Sequence, residues 1–223
     1  MYNLGKRKHI YRLIFVEHVK KKERAYREIL YEFYEKGKYR HRVRWVAYRC
    51  GVSPGLVSHA LKPLQKMGAV KMYSRWFEVV DAKKILLYWC NARNLWNDVV
   101  YRVRLDLSVE EIESLVPAES LFTAYTGFKH RFGYAPADYG EVIVYGDRQR
   151  FVERFGDYQH TKHPNLLVLS IDDHLRQFRE TPLAQIYVDL WNLETWYARR
   201  FVEELDRRIE EYPRSGGDHG VLA

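Results

Sequence analysis

Apolar residues recur at spacings of three and four along much of the chain, and the clearest run lies between Val43 and Val70. Val57, Ala60, Leu61 and Leu64 form one inward stripe there, while Ser58, His59 and Lys62 fall on the opposite side of the same helix. Gly51 can take the positive φ that ends a preceding helix, Ser53 can cap the next, and Pro54 suits its first position. The pattern predicts two helices joined by the turn Gly51-Val52-Ser53, with Trp45, Val46 and Tyr48 in the core and Arg44 and Arg49 facing out. Pro63 should bend or tighten the second helix, which leaves Ser53 to Lys62 as the segment able to enter a groove. After Gly68, AVKMYSRWFEVVD reads as two short strands about a turn near Tyr73-Ser74-Arg75. The arrangement is that of a helix-turn-helix followed by a wing.

The flanking pattern extends this scheme. Ala25 to Tyr34 is amphipathic, with Ile29, Leu30, Phe33 and Tyr34 on one face, Arg27, Glu28, Glu32 and Glu35 elsewhere, and Gly37 to end it. Ile10 to Val19 fits a helix or a strand, either as an arm packing on a second subunit or as an element closing the core. Lys38 to Arg42 alternates basic and polar residues and fits a short strand paired with the wing, near a phosphate backbone or as a charged, solvated edge. From Asp81, Ile85, Leu86, Trp89 and Cys90 mark a long helix, and Asn91 to Asn97 is the candidate boundary. Beyond it come a strand over Tyr101 to Leu107, a Ser108-capped helix over Val109 to Leu115 and a helix over Leu121 to Phe132. Strands over Glu141 to Tyr145 and Leu166 to Ile171 flank a helix over Arg148 to Phe155, and Pro182 to Trp191 and Glu194 to Tyr212 close the domain as helices. The fold class expected is α+β, an N-terminal winged helix-turn-helix domain followed by a small mixed α/β domain. The divisions are a basic arm (1–24), the winged domain with its linker helix (25–95), the α/β domain (96–212) and a tail (213–223).

A hydrophobic fraction of 47% is enough for a sizeable core. No apolar run reaches the roughly eighteen residues of a membrane span, and the N-terminus lacks a signal-peptide cleavage pattern, so a cytoplasmic protein is expected. Cys50 and Cys90 should be buried free thiols, although abundant Arg, Tyr and Val with five Gln point to a thermophilic source in which an intracellular disulfide can form. The net charge of +8 divides unevenly: residues 1–75 hold 19 Lys+Arg against 5 Asp+Glu, a balance of +14, leaving 18 against 24, or −6, for residues 76–223. A basic half carrying this motif points to double-stranded DNA, because neutralising phosphates releases counterions. Ser53, Gly55, Ser58, His59 and Lys62 would lie nearest the bases, and Arg40, Arg42, Arg49, Lys71 and Arg75 would hold phosphates.

Catalytic chemistry finds weaker support. Asp138 with Glu141, Asp147, and Asp172-Asp173 are the carboxylates nearest to a metal-binding pattern, but no lysine follows Glu141 by two positions and no Gly-Ser precedes paired aspartates. They read as strand-end caps and solvated charge, with a metal-dependent nuclease using Asp138 and Glu141 as the alternative. His160 and His163, with Asp172, Asp173 and His174 further on, lack a diagnostic metal spacing, and no phosphate-binding glycine loop occurs. No catalytic residue, metal or cofactor is therefore expected. Tyr187, Trp191, Trp196, Tyr197 and Phe201 should serve mostly as core and partly, beside Arg199 and Arg200, as a protein interface, which leaves a protein-binding module with incidental DNA binding as a further alternative.

GVSPGLVSHALKPLQKMGAV resembles winged-helix transcription regulators in general. Together with FEVVDAKKILLYWCNA, ESLFTAYTGFKHRFG, EVIVYGD and TPLAQIYVDLWNLETWYARRFVEEL, it makes the chain resemble the archaeal branch of AbiEi-type antitoxin and transcription regulators from Ala25 to Ile209. The resemblance implies a winged-helix domain that represses its own operon, and a functional link to a nucleotidyltransferase-like toxin without a stable complex. The basic segment before Ala25 departs from the shortest form of the pattern, leaving open a homodimer arm or an added DNA contact.

Overall fold

A computed structural model of the chain describes residues 21–157 and 162–210, in two compact units that divide between Arg93 and Asn94. The segment Ile10 to Val19, most of the basic arm, His160 and the tail lie outside the described residues. The protein is mixed α+β, with a three-stranded and a four-stranded sheet. No helix among the described residues is long and apolar enough to cross a membrane.

In the first unit, helix α1 covers residues 21–36 of the described chain, so it includes Lys21 to Arg24 of the charged run as well as Ala25 to Tyr34. Within it Glu23 is a buried carboxylate that accepts hydrogen bonds from Arg93 at 2.5 Å and from Trp89 Nε1 at 3.1 Å. Glu28 and Glu32, expected on an outer face, are buried as well, against Arg49 at 2.8 Å and Lys38 at 2.9 Å. A carboxylate leaves water at tolerable cost only when such partners wait for it.

Strand β1 (Arg40–His41) leads into α2 (Val43–Cys50), which ends at Gly51 with φ +62°. Ser53 then caps α3 (Pro54–Lys66), accepting the Leu56 N–H at 3.2 Å, and the helix continues through Pro63 to Lys66. Strands β2 (Val70–Met72) and β3 (Phe77–Val79) follow, then α4 (Ala82–Ala92) with Ile85, Leu86, Trp89 and Cys90 buried. The sheet order is β1-β3-β2, antiparallel throughout. Tyr48 departs from expectation: it is 84% exposed, and Val46, Ala47 and Cys50 face inward. Those three sit at i, i+1 and i+4, one stripe of a short helix that position 48 misses. Cys50 and Cys90 are free and buried.

The second unit opens with a 3₁₀ turn, Leu95–Asp98, and β4 (Val99–Val103). Helix α5 (Val109–Leu115) starts in a complete Ser108/Glu111 capping box. Strand β5 (Leu121–Thr123) and α6 (Ala124–Phe132) come next, where the periodicity predicts a single helix. Thr123 is drawn into β5 by its hydroxyl, which donates to Asp189 at 2.7 Å, and the chain turns at Ala124 with φ +49°. Gly127 permits the tight return, since a Cβ there would lie 2.9 Å from the Phe122 carbonyl oxygen. Strands β6 (Val142–Gly146) and β7 (Leu166–Ser170) are parallel and connected through α7 (Arg148–Phe155), in a sheet ordered β4-β7-β6-β5. Val142, Val144, Leu166 and Val168 pack with Tyr101, Val103, Ile112 and Phe151 on one face of this sheet. Ile143 and Tyr145 alternate to the other face, toward α8 (Leu183–Trp191), which is buried from Leu183 to Leu190. Helix α9 (Trp196–Glu210) closes the unit with Ala198, Phe201, Val202, Leu205 and Ile209 inward.

Candidate nucleic-acid interface

Helix α3 separates its two faces sharply. Val57, Ala60, Leu61 and Leu64 are buried, whereas Ser53, Gly55, Ser58, His59 and Lys62 are all exposed. The exposed set offers hydroxyl, imidazole and ammonium groups with little bulk around them. Arg42 and Arg44, at the start of α2, are also exposed, and neither α2 nor α3 carries an acidic residue in its first turn. The N–H groups and positive dipole ends of both helices thus meet no carboxylate from their own first turns.

The three-stranded sheet contributes a second surface. Register places Arg40, Glu78 and Lys71 in one cross-strand row, and His41, Phe77 and Met72 in the next. Because His41 and Phe77 are buried, the row of Arg40, Glu78 and Lys71 belongs to the outer face, and alternation adds Tyr73 and Trp76 to it. Tyr73 and Trp76 stack with centroids 3.9 Å apart and planes 13° from parallel. The Arg40 guanidinium lies 4.7 Å from the Trp76 ring and 5.2 Å from that of Tyr39, and Lys71 Nζ lies 5.4 Å from that of Tyr73. Glu78 sits in the middle, 3.8 Å from Arg40 Nε and accepting the Tyr73 hydroxyl at 3.4 Å.

Compared with protein-family models, with curated proteins and with solved structures, the chain matches none. Its own residues therefore carry the functional argument. Arg40, Lys71 and Arg75 lie together on or beside the hairpin, and Arg42 at the adjoining helix start. Arg49 does not join them in the same way: its Nε donates to the fully buried Glu28, a bond that holds the guanidinium's pKa above its ordinary value. Tyr73, Trp76 and Glu78 do not stand out as site residues in the sequence, although the alternation Lys71, Tyr73 and Trp76, Glu78 marks their common face. His41, the inward residue of β1, is held below the usual histidine pKa chiefly by burial, against the opposing pull of Glu32.

In the second unit the candidate carboxylates are occupied in other ways. Asp147 accepts the Gln149 N–H at 2.9 Å and Asp172 the Leu175 N–H at 2.9 Å, while Glu141 takes a short hydrogen bond from the Tyr197 hydroxyl. Asp138, Asp173 and His163 are not buried, and His174 is buried with its ring edge-on to Phe178. Among the described residues, no three His, Cys, Asp or Glu side chains converge as metal ligands. Two other carboxylates each take three hydrogen bonds: buried Asp189, which accepts from Thr123, Tyr145 and Gln185, and half-buried Glu113, which accepts from Thr126, Lys129 and Tyr139.

Proposed function

We propose that the first unit is a winged helix-turn-helix domain and that the protein is a sequence-specific, double-stranded DNA-binding regulator acting without catalysis. The observation that carries this reading is the polar face of α3, where Ser58, His59 and Lys62 are exposed above a fully buried Val57, Leu61 and Leu64 stripe. A helix seated on its own core in this way can enter a major groove without unfolding anything. Ser58 and His59 would exchange hydrogen bonds with base edges, and Ser53, Gly55 and Lys62 would lie nearest the bases beside them. Arg40, Arg42, Lys71 and Arg75 would fix the register on phosphates.

By resemblance to AbiEi-type regulators, the DNA is the operator of the protein's own operon and the biological role that of an antitoxin. The second unit supports an interaction role through Trp191 and Trp196, 43% and 74% exposed, since aromatic side chains are what interface cores use. A homodimer is the arrangement that two operator half-sites would call for. A nuclease using Asp138 and Glu141 has less support, because Glu141 is bound by Tyr197.

The test is binding to promoter and random duplexes over a range of salt. Ser58→Ala with His59→Ala should erode discrimination between the two duplexes. Lys71→Ala with Arg75→Ala should weaken both and lower the salt slope by about 0.9 for each phosphate no longer neutralised. Equal weakening on every sequence from the first pair would refute the base-reading assignment.

A further inference from the structure

The outer face of the three-stranded sheet has more than phosphate binding requires. Two nearly parallel rings lie at its end, Trp76 stacked on Tyr73 and with the Arg40 guanidinium 4.7 Å from its ring centroid. Tyr73, 37% exposed, stacks on Trp76 and has the Lys71 ammonium 5.4 Å from its ring centroid. Arg40 is fastened by Glu78, Trp76 and Tyr39, whereas Lys71 has no ion pair among the described residues and can swing away. The carboxylate of Glu78 at the centre of the face would repel a phosphate laid across it, but not a neutral ring. Lys71 and exposed Arg75 stand at the edge, where the phosphates on either side of such a ring would fall.

We propose that the outer face of Tyr73 is a stacking site for an unpaired nucleobase, so that the preferred DNA carries a base displaced from its duplex beside the segment held by α3. The proposal rests on the reading of this unit as a nucleic-acid binder and adds a substrate form to it. Trp76 and Arg40 fix the plane of the Tyr73 ring, so a base that displaces Lys71 meets a surface already ordered. Lys71 then turns to the flanking phosphate. Base stacking on an aromatic ring tolerates any base, because each has a π face. The site therefore contributes affinity for an opened strand, not for a sequence.

The experiment compares three labelled probes on the full chain: a promoter duplex, the same duplex with one unpaired thymine, and oligothymidine. The unpaired thymine should tighten binding about tenfold over the flush duplex. Tyr73→Leu should abolish that gain and weaken oligothymidine by about tenfold, while the flush duplex stays within about twofold of wild type. Tyr73→Phe, which keeps the ring and gives up the Glu78 hydrogen bond, should behave as wild type, and circular dichroism checks that both variants fold. Equal binding of the flush and unpaired duplexes by the wild type would overturn the proposal, as would a Tyr73→Leu effect equal on all three probes. In either case duplex binding persists and the regulator reading survives. Failure of the wild type to bind any probe would remove both.

Discussion

Arg49 separates a cation that holds the fold from those that would hold DNA. Its Nε donates at 2.8 Å to Glu28, whose side chain is fully buried, while the Arg49 side chain keeps 35% of its surface in water. Replacing it by methionine retains most of the packing volume and takes from the buried carboxylate the charged partner 2.8 Å away. Removing one partner of a fully buried pair costs about 3–5 kcal/mol, and the partial hydration of Arg49 places this pair at the lower end, about 3 kcal/mol. In a unit of this size that change lowers Tm by roughly 10–25 °C. Glu28→Gln added to Arg49→Met should restore most of it, because a neutral amide tolerates burial far better than a carboxylate. Thermal unfolding followed by far-UV circular dichroism measures the stability, and duplex binding at several salt concentrations measures the phosphate count. The reasoning requires a large drop in stability with an unchanged salt slope below the transition. If Arg49→Met instead leaves Tm in place and lowers the slope by about 0.9, Arg49 is a phosphate ligand and its bond to Glu28 is incidental.

Ser53→Asp should retain the cap of α3, since aspartate caps as well as serine, yet weaken duplex binding by placing a carboxylate at the helix start; equal affinity by anisotropy would contradict the docking. His41 is neutral in its buried site, so its contribution to stability should be intact above its unfolded value of about 6.5 and be lost as pH falls through the lower folded value. Glu32, Glu28 and Lys38 also act on this ring, and urea midpoints measured from neutral to mildly acidic pH should flatten in His41→Phe. Tyr145→Phe removes a 2.7 Å donor from buried Asp189 and should cost about 2 kcal/mol in urea unfolding of the second unit. Tyr125, Tyr139 and Tyr197 are raised above the ordinary tyrosine pKa mainly by burial, so the stability they contribute is complete below about 10 and is lost as pH rises through their folded values. Tyrosinate absorbance should lag behind that of a denatured control, and normal titration with the fold intact would refute this.

Features set by near neighbours are legible in the chain. The α3 stripe, the Ser108/Glu111 capping box and the apolar face of α4 each depend on residues within about one or two helical turns. Features set by distant partners are not. Glu23 and Arg93 are 70 residues apart and Glu28 and Arg49 are 21 apart, so a local reading assigns these carboxylates to a solvated face. Strand β5 escapes for a related reason: three residues, Leu121 to Thr123, are too few to set a period, and the anchor of Thr123 is Asp189, 66 positions away. The pattern of β1 carries no apolar residue to bury, and the structure places His41 there, against Trp45 and Phe77. On the candidate interface, the exposed α3 residues can be read from periodicity alone. The stacking of Arg40 on Trp76 cannot, because it depends on the pairing of β1 with β3.

The acidic second half gains a physical account from its tyrosines. Among the described residues, five phenol hydroxyls there donate to carboxylates: Tyr134 to Glu204, Tyr139 to Glu113, Tyr145 to Asp189, Tyr187 to Asp206 and Tyr197 to Glu141. A phenol satisfies a carboxylate oxygen without cancelling its charge, so acidic residues can be built into this packing while the balance of residues 76–223 remains −6. A metal ion bound at Glu141 or Asp189 would have to displace bonds that hold α9 or α8 to β6 and its approach. Part of the acid of this half is thus tied into the packing of the unit by phenol hydroxyls. With +14 on residues 1–75 and −6 on the remainder, the cations are concentrated in the part of the sequence that holds α3, whose first turn carries no acidic residue, and on the proposed reading a polyanion would be drawn there.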